Sequence, residues 1–367
     1  MDADAELMDR ALALAGAARR HTAPNPWVGC VLARDGEVVG EGTTRPPGGA
    51  HAEIEALHAA AERARGATAY VTLEPCSHHG RTPPCVEALL AAGVARVVVA
   101  LEDPDPLVHG AGIAAMQARG VVVDVGTRRD AARDLLAPYL VHRTEGRAFA
   151  LVKTAMSLDG RIAARDGSSR WITGPQARVD AHQLRADSQA ILVGAGTALI
   201  DRPRLTVRDV DDPPDHPPLR VVLDARGRVP ATGPLFDPEL APTLVITSSA
   251  PDDVQRGWLA AGAKVLMVEP DADGRGVYLR SALSALGELG VLQALVEGGG
   301  QLIGSLLEAG LVDRLVAYVA PVLLGREGRP AFDLRGPESL VDAARWRMVA
   351  TRRLDTDVRI DSVPGRG

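Results

Sequence analysis

The sequence predicts an α/β protein of two domains, and three features of the chain lead to this prediction. A chain of 367 residues is longer than one hydrophobic core usually organises. Short runs of β-branched and aliphatic residues, typical of strands, alternate with segments in which apolar residues recur at helical spacing. This alternation breaks into polar and charged residues over 138–147 and then starts again. We therefore predict a first domain at residues 1–146 and a second at 147–362.

The first domain begins with a predicted helix over residues 5–20, where Leu7, Ala11 and Leu14 recur at helical spacing. Strands are predicted at 27–33 and 37–42, because Asp35-Gly36 between two apolar runs is a strong hairpin signal. The elements predicted next are helix 51–64, strand 69–73, a helix after Cys85, strand 96–101, a helix near 111–119 and strand 121–125. Strands interleaved with helices in this way predict a layered α/β domain.

The second domain starts with a strand at Phe149 and repeats the alternation. Strands are predicted at about 149–155, 190–193, 219–223, 243–247, 264–268, 291–296 and 315–320, with helical segments between most of them. Residues 209–218 hold four prolines and four acidic residues and predict a surface loop. Residues 363–367 predict a disordered tail.

Composition argues against several classes of partner. The net charge of −6 is unfavourable for a large nucleic-acid-binding surface, so we expect no nucleic-acid partner. No apolar run reaches the ~18 residues of a membrane span, and residues 1–4 lack the basic start of a secretion signal, so we expect no membrane partner. Cys30 lies in an apolar run and is expected to be buried. A disulfide framework is therefore not expected, and a cytoplasmic location is predicted.

The most specific motif is His51-Ala52-Glu53, followed by Pro75-Cys76 and by Cys85. One histidine and two cysteines can hold a zinc ion and leave a fourth position for water, whose pKa zinc lowers from 15.7 to roughly 7. Glu53 can exchange a proton with that water without binding the metal. This pattern is typical of zinc-dependent nucleobase deaminases, although the usual form is Pro-Cys-x-x-Cys. Here eight residues separate the two cysteines.

Two glycine turns follow predicted strands in the second domain. Gly194-Ala195-Gly196-Thr197 ends one strand, but Leu199 stands where a Rossmann fingerprint has its third glycine. A packing turn without a ligand is an equal alternative for that segment. Residues 297–300, Glu-Gly-Gly-Gly, repeat the arrangement after another strand. Two such turns favour a nucleotide cofactor, because glycines let backbone amides approach an anion closely.

Longer motifs give the chain a family resemblance. Residues 24–31 and 72–85 resemble the deaminase half of the bifunctional riboflavin-biosynthesis deaminase-reductases, and the long insert between the cysteines distinguishes that family from cytidine and tRNA-adenosine deaminases. Residues 153–160 and 169–173 resemble the reductase half. The resemblance covers nearly the whole chain. It implies an α/β protein with an N-terminal cytidine-deaminase-like three-layer domain and a C-terminal dihydrofolate-reductase-like domain.

The resemblance implies that the first domain deaminates 2,5-diamino-6-ribosylamino-4(3H)-pyrimidinone 5′-phosphate, a small phosphorylated pyrimidine, to the corresponding uracil. By the family pattern Glu53 shuttles the proton, and one zinc per chain is bound by His51, Cys76 and Cys85. The family's substrate contacts fall on Asn25, His78 and Arg81.

Some first-domain positions depart from the family or have structural alternatives. Thr44 stands where many members have a histidine, and Arg81 where many have a lysine, although arginine binds phosphate at least as well. A structural zinc would need a fourth protein ligand, which His78 or His79 could supply. Asn25 could brace a proline-flanked turn, and His78 and Arg81 could be exposed loop residues.

For the second domain the resemblance implies hydride transfer from NADPH to C1′ of the ribosyl group, which opens the sugar to a ribityl chain. Lys153 is the candidate for polarising the ribose oxygen, and Glu297 for orienting or protonating it. The family's cofactor contacts fall on Ala155, Trp171, Thr197, Asp201, Gly299, Gly300, Gln301, Leu302, Ile303, Gly304 and Ser305. Its substrate contacts fall on Ser169, Arg185, Leu205, Arg208 and Glu297.

A dianionic phosphate is bound well by two guanidinium forks, and Arg185 with Arg208 would provide them. The alternative for either arginine is a solvated surface charge. Asp224-Ala225 stands where many members have a polar contact residue, so any cofactor contact there would use backbone atoms.

Other functions compete with the deaminase-reductase hypothesis. One is a tRNA base deaminase with an accessory nucleotide-binding domain, against which the negative charge and the lack of a basic, aromatic-rich face count. A second is a non-catalytic ligand sensor, against which the intact zinc motif counts. A third is an enzyme of a related specialised-metabolite pathway, which would share these motifs. In each enzymatic case we expect a homo-oligomer, either a dimer or a tetramer.

Overall fold

The structure is a computed structural model that describes residues 3–78, 83–106 and 108–365. The chain divides into two compact units, residues 1–146 and 147–367. Each unit combines helices with its own β-sheet, as the predicted α/β class requires. Within the described ranges, none of the helices has both the length and the apolar character needed to cross a bilayer.

The first unit is built on a sheet of five strands in the order β2-β1-β3-β4-β5. These strands are β1 (Gly29–Arg34), β2 (Glu37–Thr43), β3 (Thr68–Val71), β4 (Arg96–Val99) and β5 (Val122–Val125). Its helices are α1 (Ala3–Ala18), α2 (Ala52–Ala60), α3 (Cys85–Ala91), α4 (Ala111–Ala118), α5 (Arg129–Leu135) and α6 (Ala137–Glu145). Strands β1 and β2 pair antiparallel through the predicted turn, where Asp35 and Gly36 both have positive φ, 51° and 83°.

Glycines show that helices cover both faces of this sheet. A Cβ on Gly29 of β1 would lie 2.0 Å from the Ala11 carbonyl oxygen of α1. The neighbouring Cys30 pairs with Gly42, and a Cβ on Gly42 would lie 2.2 Å from the Ala52 carbonyl oxygen of α2. Because adjacent strand residues point to opposite faces, α1 and α2 lie on opposite sides. The first unit therefore has the three layers that the family resemblance implies.

The end of the first unit differs from the prediction. The segment 138–147, interpreted as a polar break in the pattern, is mostly the helix α6, and α5 precedes it. Leu136 and Tyr139 are buried, and the Tyr139 hydroxyl donates to both carboxylate oxygens of Asp103 at 3.2 and 3.1 Å. The few apolar residues of this segment are enough to dock it, but they are too sparse to give a helical period.

The second unit is built on a sheet of nine strands in the order β11-β10-β9-β8-β12-β6-β13-β16-β15. These strands are β6 (Phe149–Ser157), β8 (Ala190–Gly194), β9 (Leu219–Leu223), β10 (Thr243–Thr247), β11 (Lys264–Met267), β12 (Gln293–Val296), β13 (Arg314–Ala320), β15 (Trp346–Leu354) and β16 (Asp357–Pro364). A separate short pair joins β7 (Arg161–Ala163) to β14 (Arg329–Pro330). The helices are α7 (Pro175–Ala186), α8 (Ala195–Asp201), α9 (Asp252–Ala260), α10 (Leu279–Glu288) and α11 (Gly300–Glu308).

In the order of the sheet, the seven strands from β11 through β6 to β13 all run parallel to one another. They are the seven strands predicted from the sequence, and their ends agree with the prediction within two residues. Both faces of the inner strands β10, β9, β8 and β12 are almost entirely buried. In β8, Ala190 and Leu192 belong to one hydrophobic cluster, whereas Ile191 and Val193 belong to another. Burial on both faces explains why these strands are continuous apolar runs in the sequence.

The prediction of a disordered tail at 363–367 is wrong for its described part. Strand β16 pairs with β13 and with β15, and Val363 and Pro364 lie opposite Arg347 and Trp346. The Gly365 amide donates to the Arg345 carbonyl at 2.8 Å. The sequence showed no strand here because β15 is rich in arginine and is mostly exposed at the sheet edge.

Asp180 of α7 joins the C-terminal hairpin to the rest of the second unit. Its carboxylate accepts hydrogen bonds from the Tyr318 hydroxyl at 2.6 Å, from Arg359 at 2.7 Å and from Arg352. Asp180 is buried, so these donors replace the water that the carboxylate loses on folding.

We expect Asp180→Ala to lower the free energy of unfolding by about 3–5 kcal/mol, the usual effect of removing one partner of a buried ion pair. The matched control is Glu327→Ala in the same unit, since Glu327 pairs with Arg165 where both side chains are exposed. That control should change stability by less than about 1 kcal/mol. Urea unfolding of the full chain measures both, and equal effects of the two substitutions would contradict the role assigned to Asp180.

Candidate active sites

His51, Cys76 and Cys85 lie together in the first unit. Their ligand atoms are all within 4.8 Å of one another. His51 Nδ1 is 3.2 Å from Cys85 Sγ and 3.6 Å from Cys76 Sγ. Tetrahedral zinc, with Zn–S bonds of about 2.3 Å and Zn–N bonds of about 2.0 Å, holds such atoms roughly 3.5–3.8 Å apart. The donor types and their spacing therefore fit one zinc ion.

Secondary structure places each of the three ligands. His51 is the residue before α2, Cys85 is the first residue of α3, and Cys76 follows the segment that leaves β3. The Cys85 amide donates to Cys76 Sγ at 3.4 Å. Hydrogen bonds from the Cys85 thiol and from His51 lower the pKa of Cys76, although burial opposes them. Cys76 is therefore favoured as a thiolate, the form that binds zinc.

Within the described residues the metal cluster has no fourth histidine, cysteine, aspartate or glutamate. An open fourth position is typical of a catalytic zinc, whereas a structural zinc has four protein ligands. His79, one of the residues proposed to close a structural site, lies outside the described residues, as does Arg81.

Glu53 lies in the first turn of α2, two residues beyond His51, and is only 3% exposed. Burial, together with the charge of the nearby Cys76 sulfur, raises the pKa of Glu53 to about 7. A carboxyl group with a pKa near neutrality can both accept and donate a proton under physiological conditions. This environment supports the predicted proton shuttle. Cys30, on β1, is fully buried and free, as predicted.

The other first-unit predictions have different environments. His78 is exposed. Asn25 is half-buried, and its backbone amide donates to the Thr22 carbonyl at 2.8 Å. Thr44, at the position where many family members have histidine, is buried, and its hydroxyl accepts from the Val28 amide at 3.2 Å. At this position the threonine braces the backbone after Asn25 and Trp27.

Sequence analysis missed Glu74, two residues before Cys76. Its buried carboxylate accepts four backbone amides, from Asp103 at 3.2 Å, Gly110 at 3.0 Å, Gly112 at 2.9 Å and Ile113 at 3.2 Å. Three of these amides lie at the start of α4. Glu74 therefore ties the segment that carries Cys76 to α4. The sequence signal that could have identified Glu74 was its place between a strand and Pro75-Cys76.

In the second unit, the two glycine turns meet at one cavity of about 940 Å³. β8 and β12 are parallel neighbours, and each leads directly into a helix, α8 and α11 respectively, whose first residues line the cavity. Ligands of parallel α/β sheets bind beyond the carboxyl ends of the strands, where helix amino termini attract anions. The cavity is therefore a suitable site for a phosphate-bearing nucleotide.

The cavity is lined by only some of the residues predicted to contact cofactor or substrate. Those that line it are Ser169, Thr197, Asp201, Gly299, Gly300, Gln301, Leu302 and Ser305. The Ile303 side chain belongs to the hydrophobic core instead. A Cβ on Gly304 would lie 2.0 Å from the Asp333 carbonyl oxygen, so this glycine is required by packing. Gly300 has a similar constraint, because a Cβ there would lie 2.3 Å from the Pro330 carbonyl oxygen.

Trp171 and Ala155 do not line this cavity. Trp171 is 70% exposed, and the Arg178 guanidinium lies 4.6 Å from its ring centroid. Ala155 is half-buried on β6, opposite Tyr318 of β13. The cofactor contacts predicted for these two residues stay predictions.

Lys153, Glu297 and Arg185 form a cluster of half-buried charges in the second unit. Arg185 donates from Nε and Nη2 to the two carboxylate oxygens of Glu297, both at 2.7 Å. Burial works against the charged form of Glu297, but Arg185 and Lys153 outweigh it and lower the pKa of Glu297 to about 2. Burial lowers the pKa of Lys153, and Glu297 opposes that shift. Glu297 is therefore a fixed negative charge beside Lys153.

The two arginines are not equivalent, which differs from the expected pair of phosphate forks. Arg185 uses its fork on Glu297 and donates from Nη1 to the Thr206 carbonyl at 2.9 Å. Arg208 is exposed, and its amide donates to Nδ1 of His182 at 3.2 Å. Leu205 is buried and has a positive φ of 48°. His182 was missed by sequence analysis, because a lone histidine in a helix is usually only a packing residue.

Comparison with known proteins covers both units. A family profile described as the cytidine and deoxycytidylate deaminase zinc-binding region matches residues 1–101. A second, described as the RibD C-terminal domain, matches residues 148–360. The riboflavin biosynthesis protein RibD of Aquifex aeolicus is 40% identical to this chain over 97% of each protein. RibD of Escherichia coli is 42% identical over 97% of this chain and 98% of its own length.

Solved structures give the same result. Acinetobacter baumannii RibD aligns with a TM-score of 0.88 and 38% identity, covering 99% of each chain. A Thermotoga maritima protein described as a diaminohydroxyphosphoribosylaminopyrimidine deaminase/5-amino-6-(5-phosphoribosylamino)uracil reductase aligns with a TM-score of 0.85 and 30% identity, again over 99% of each chain.

We expect Cys76→Ser and Cys85→Ser to lose zinc and deamination together, because each substitution removes an anionic ligand. Zinc per chain, measured by atomic emission on the purified protein, should fall from about one to well below one. Cys30→Ala, which changes the buried cysteine outside the cluster, is the control and should keep its zinc. Full zinc in either serine variant would contradict the ligand assignment.

We expect Glu53→Gln to keep its zinc but to lose deaminase activity by at least ~10²-fold, the usual effect of removing a general acid-base group. The matched control is Glu55→Gln on the same helix, because the Glu55 carboxylate accepts hydrogen bonds from Arg45 Nε and Nη2 at 2.9 and 2.6 Å, away from the three zinc-ligand residues. It should retain both zinc and activity. If Glu53→Gln lost its zinc as well, Glu53 would be a ligand and not a shuttle.

Proposed function

This chain belongs to the RibD family of riboflavin-biosynthesis proteins, and from that premise we propose that it catalyses two successive reactions on one phosphorylated pyrimidine. The first unit would deaminate 2,5-diamino-6-ribosylamino-4(3H)-pyrimidinone 5′-phosphate. The second would reduce the ribosyl group of the product to ribityl, giving 5-amino-6-ribitylamino-uracil 5′-phosphate. The observation that carries the proposal is the three-ligand cluster of His51, Cys76 and Cys85 with the buried Glu53 beside it.

In the deamination, Glu53 moves the protons. Zinc, when bound by His51, Cys76 and Cys85, would supply a Lewis acid that makes water a nucleophile at neutral pH. Glu53 takes a proton from the attacking water and passes it to the departing amine, so that ammonia leaves as the carbonyl forms. Its pKa of about 7 suits both halves of this transfer. Asn25, His78 and Arg81 are the proposed substrate contacts.

In the reduction, we assign the proton transfer to Lys153 and the electrostatic support to Glu297. NADPH, when bound along the two glycine turns, would supply the hydride. As hydride is added to C1′, the bond from C1′ to the ring oxygen breaks and that oxygen needs a proton. Burial lowers the pKa of Lys153, which makes its proton easier to release. Glu297 stays ionised through Arg185, and its negative charge favours the ammonium form of Lys153.

The cofactor and substrate contacts are proposed on the same basis. Cofactor contacts with support from the cavity are Thr197, Asp201, Gly299, Gly300, Gln301, Leu302 and Ser305, whereas Ile303 and Gly304 would support the helix without touching the cofactor. Ser169, which lines the cavity, and the exposed Arg208 are the substrate contacts best supported by position.

We also propose that the protein acts in the cytoplasm as a homo-oligomer of two or four chains, without a nucleic-acid partner. The net charge of −6 supports the last point. The tRNA-deaminase alternative finds no support among the relatives reported above.

The two reactions should be separable by substitution, because the residues proposed for the two sites belong to different units. Glu53→Gln should abolish deamination but still oxidise NADPH when it is supplied with the already deaminated substrate. Arg208→Ala should keep deamination and raise the KM of reduction by roughly 10- to 100-fold, since a charge-assisted contact contributes about 1.5–3 kcal/mol. Product masses and NADPH absorbance measure the two steps.

Arg208 is preferred to Arg185 for this experiment, because Arg185→Ala would remove the ion-pair partner of the half-buried Glu297 carboxylate. A folded Glu53→Gln protein that no longer reduced the deaminated substrate would overturn the two-site proposal.

A further inference from the structure

The loop between α8 and β9 has a backbone that needs support. Arg202, Leu205 and Asp209 have positive φ angles of 43°, 48° and 56°. Residues other than glycine rarely adopt this left-handed conformation, which persists only where the surroundings hold it in place. Leu205 and Arg208, two proposed substrate contacts, belong to this loop.

Two side chains of α7 provide this support. Arg185 Nη1 donates to the Thr206 carbonyl at 2.9 Å, and His182 Nδ1 accepts the Arg208 amide at 3.2 Å. His182 and Arg185 are three residues apart in the helix and so lie on one face of it. His182 is 8% exposed, so the Arg208 amide has little water to replace the imidazole nitrogen. These contacts hold the backbone of 206–208 against α7.

The hydrogen bond to Nδ1 also determines the state of the His182 ring. A neutral imidazole has one acceptor nitrogen, so if Nδ1 accepts, the proton is on Nε2. Nε2 lies 3.4 Å from Arg208 Nη2, but both atoms then carry hydrogens and form no hydrogen bond. Burial, with the charges of Arg185 and Arg208, lowers the pKa of His182 to about 4, which keeps the ring neutral near pH 7.

A neutral His182 therefore holds Arg208 through its backbone amide and leaves the donors of the Arg208 guanidinium free. Arg208 is exposed, and in the part of the chain that the structure describes no carboxylate pairs with it, whereas Arg185 is paired with Glu297. A guanidinium with free donors is suited to a dianionic phosphate. We propose that His182 is a positioning residue that holds Arg208 ready for the 5′-phosphate of the reductase substrate. This inference rests on the proposed reductase function.

The test compares His182→Phe, which keeps a ring but has no acceptor, with His182→Asn, whose Oδ1 occupies nearly the position of Nδ1. KM and kcat of reduction are measured with the deaminated 5′-phosphate and with its dephosphorylated counterpart. We expect His182→Phe to raise KM for the phosphorylated substrate about tenfold or more, because the Arg208 amide loses its acceptor. KM for the dephosphorylated substrate and kcat should change little. His182→Asn should stay within about threefold of the wild type.

Arg208→Ala and the double variant His182→Phe/Arg208→Ala complete a cycle. If His182 acts through Arg208, the double variant is no worse than Arg208→Ala alone. Additive effects would show that His182 acts independently and would overturn the proposal. So would an unchanged phosphate preference in His182→Phe when Arg208→Ala has lost that preference.

NADPH binding, followed by fluorescence, and zinc-dependent deamination report the folding of each unit. If His182→Phe fails to bind NADPH, His182→Gln replaces it, because its longer side chain moves the acceptor away from the Arg208 amide. The same rise in KM is then expected, and no change in KM would overturn the proposal. A wild-type protein that binds NADPH but reduces neither substrate would instead refute the proposed reductase function.

Discussion

A carboxylate that leaves water must be paired, and this constraint on Glu297 organises the second site. Taking a charge out of water has an effective penalty of several kcal/mol, and a close, hydrogen-bonded partner is needed to offset it. Arg185 supplies that partner with two 2.7 Å hydrogen bonds from α7, while its remaining nitrogen holds the Thr206 carbonyl. One ion pair therefore fixes the end of β12, the helix α7 and the loop before β9 relative to one another. Lys153 lies on β6, the neighbour of β12 in the sheet, and the charge of Glu297 acts on its ammonium group.

The first site depends on a steric constraint instead. Gly40 and Gly42 of β2 let the backbone of α2 approach so closely that a Cβ at either position would lie within 2.3 Å of a helix carbonyl oxygen. Alanines at 52, 56 and 60 are the matching small, buried residues of that helix. Because α2 is held in this way, His51 and Glu53 at its start have a defined position. Glu74 fixes the position of the segment that carries Cys76, because its carboxylate accepts hydrogen bonds from four backbone amides of α4 and the loop before it.

Glu53 and Glu297 show how environment separates chemical roles. Glu53 has no cationic partner that outweighs its burial, and its pKa rises to about 7, where a proton can come and go. Glu297 is half-buried, and although this burial favours its neutral form, Arg185 and Lys153 lower its pKa to about 2, so it stays charged. The same side chain is therefore suited to proton transfer in one unit and stays ionised in the other.

The sequence by itself predicted the α/β class, most of the strands, the family and the cluster of His51, Cys76 and Cys85, because periodicity and short motifs are local properties of the chain. It did not reveal the β15–β16 hairpin, whose charged residues have no strand pattern and are held by Asp180, 172 positions from Arg352. Nor did it show that Arg185 is paired with Glu297, 112 positions away, or that His182 holds the Arg208 amide. Local pattern indicates which residues are buried. Only tertiary structure decides which partner a buried polar group has, because that partner comes from a distant part of the chain.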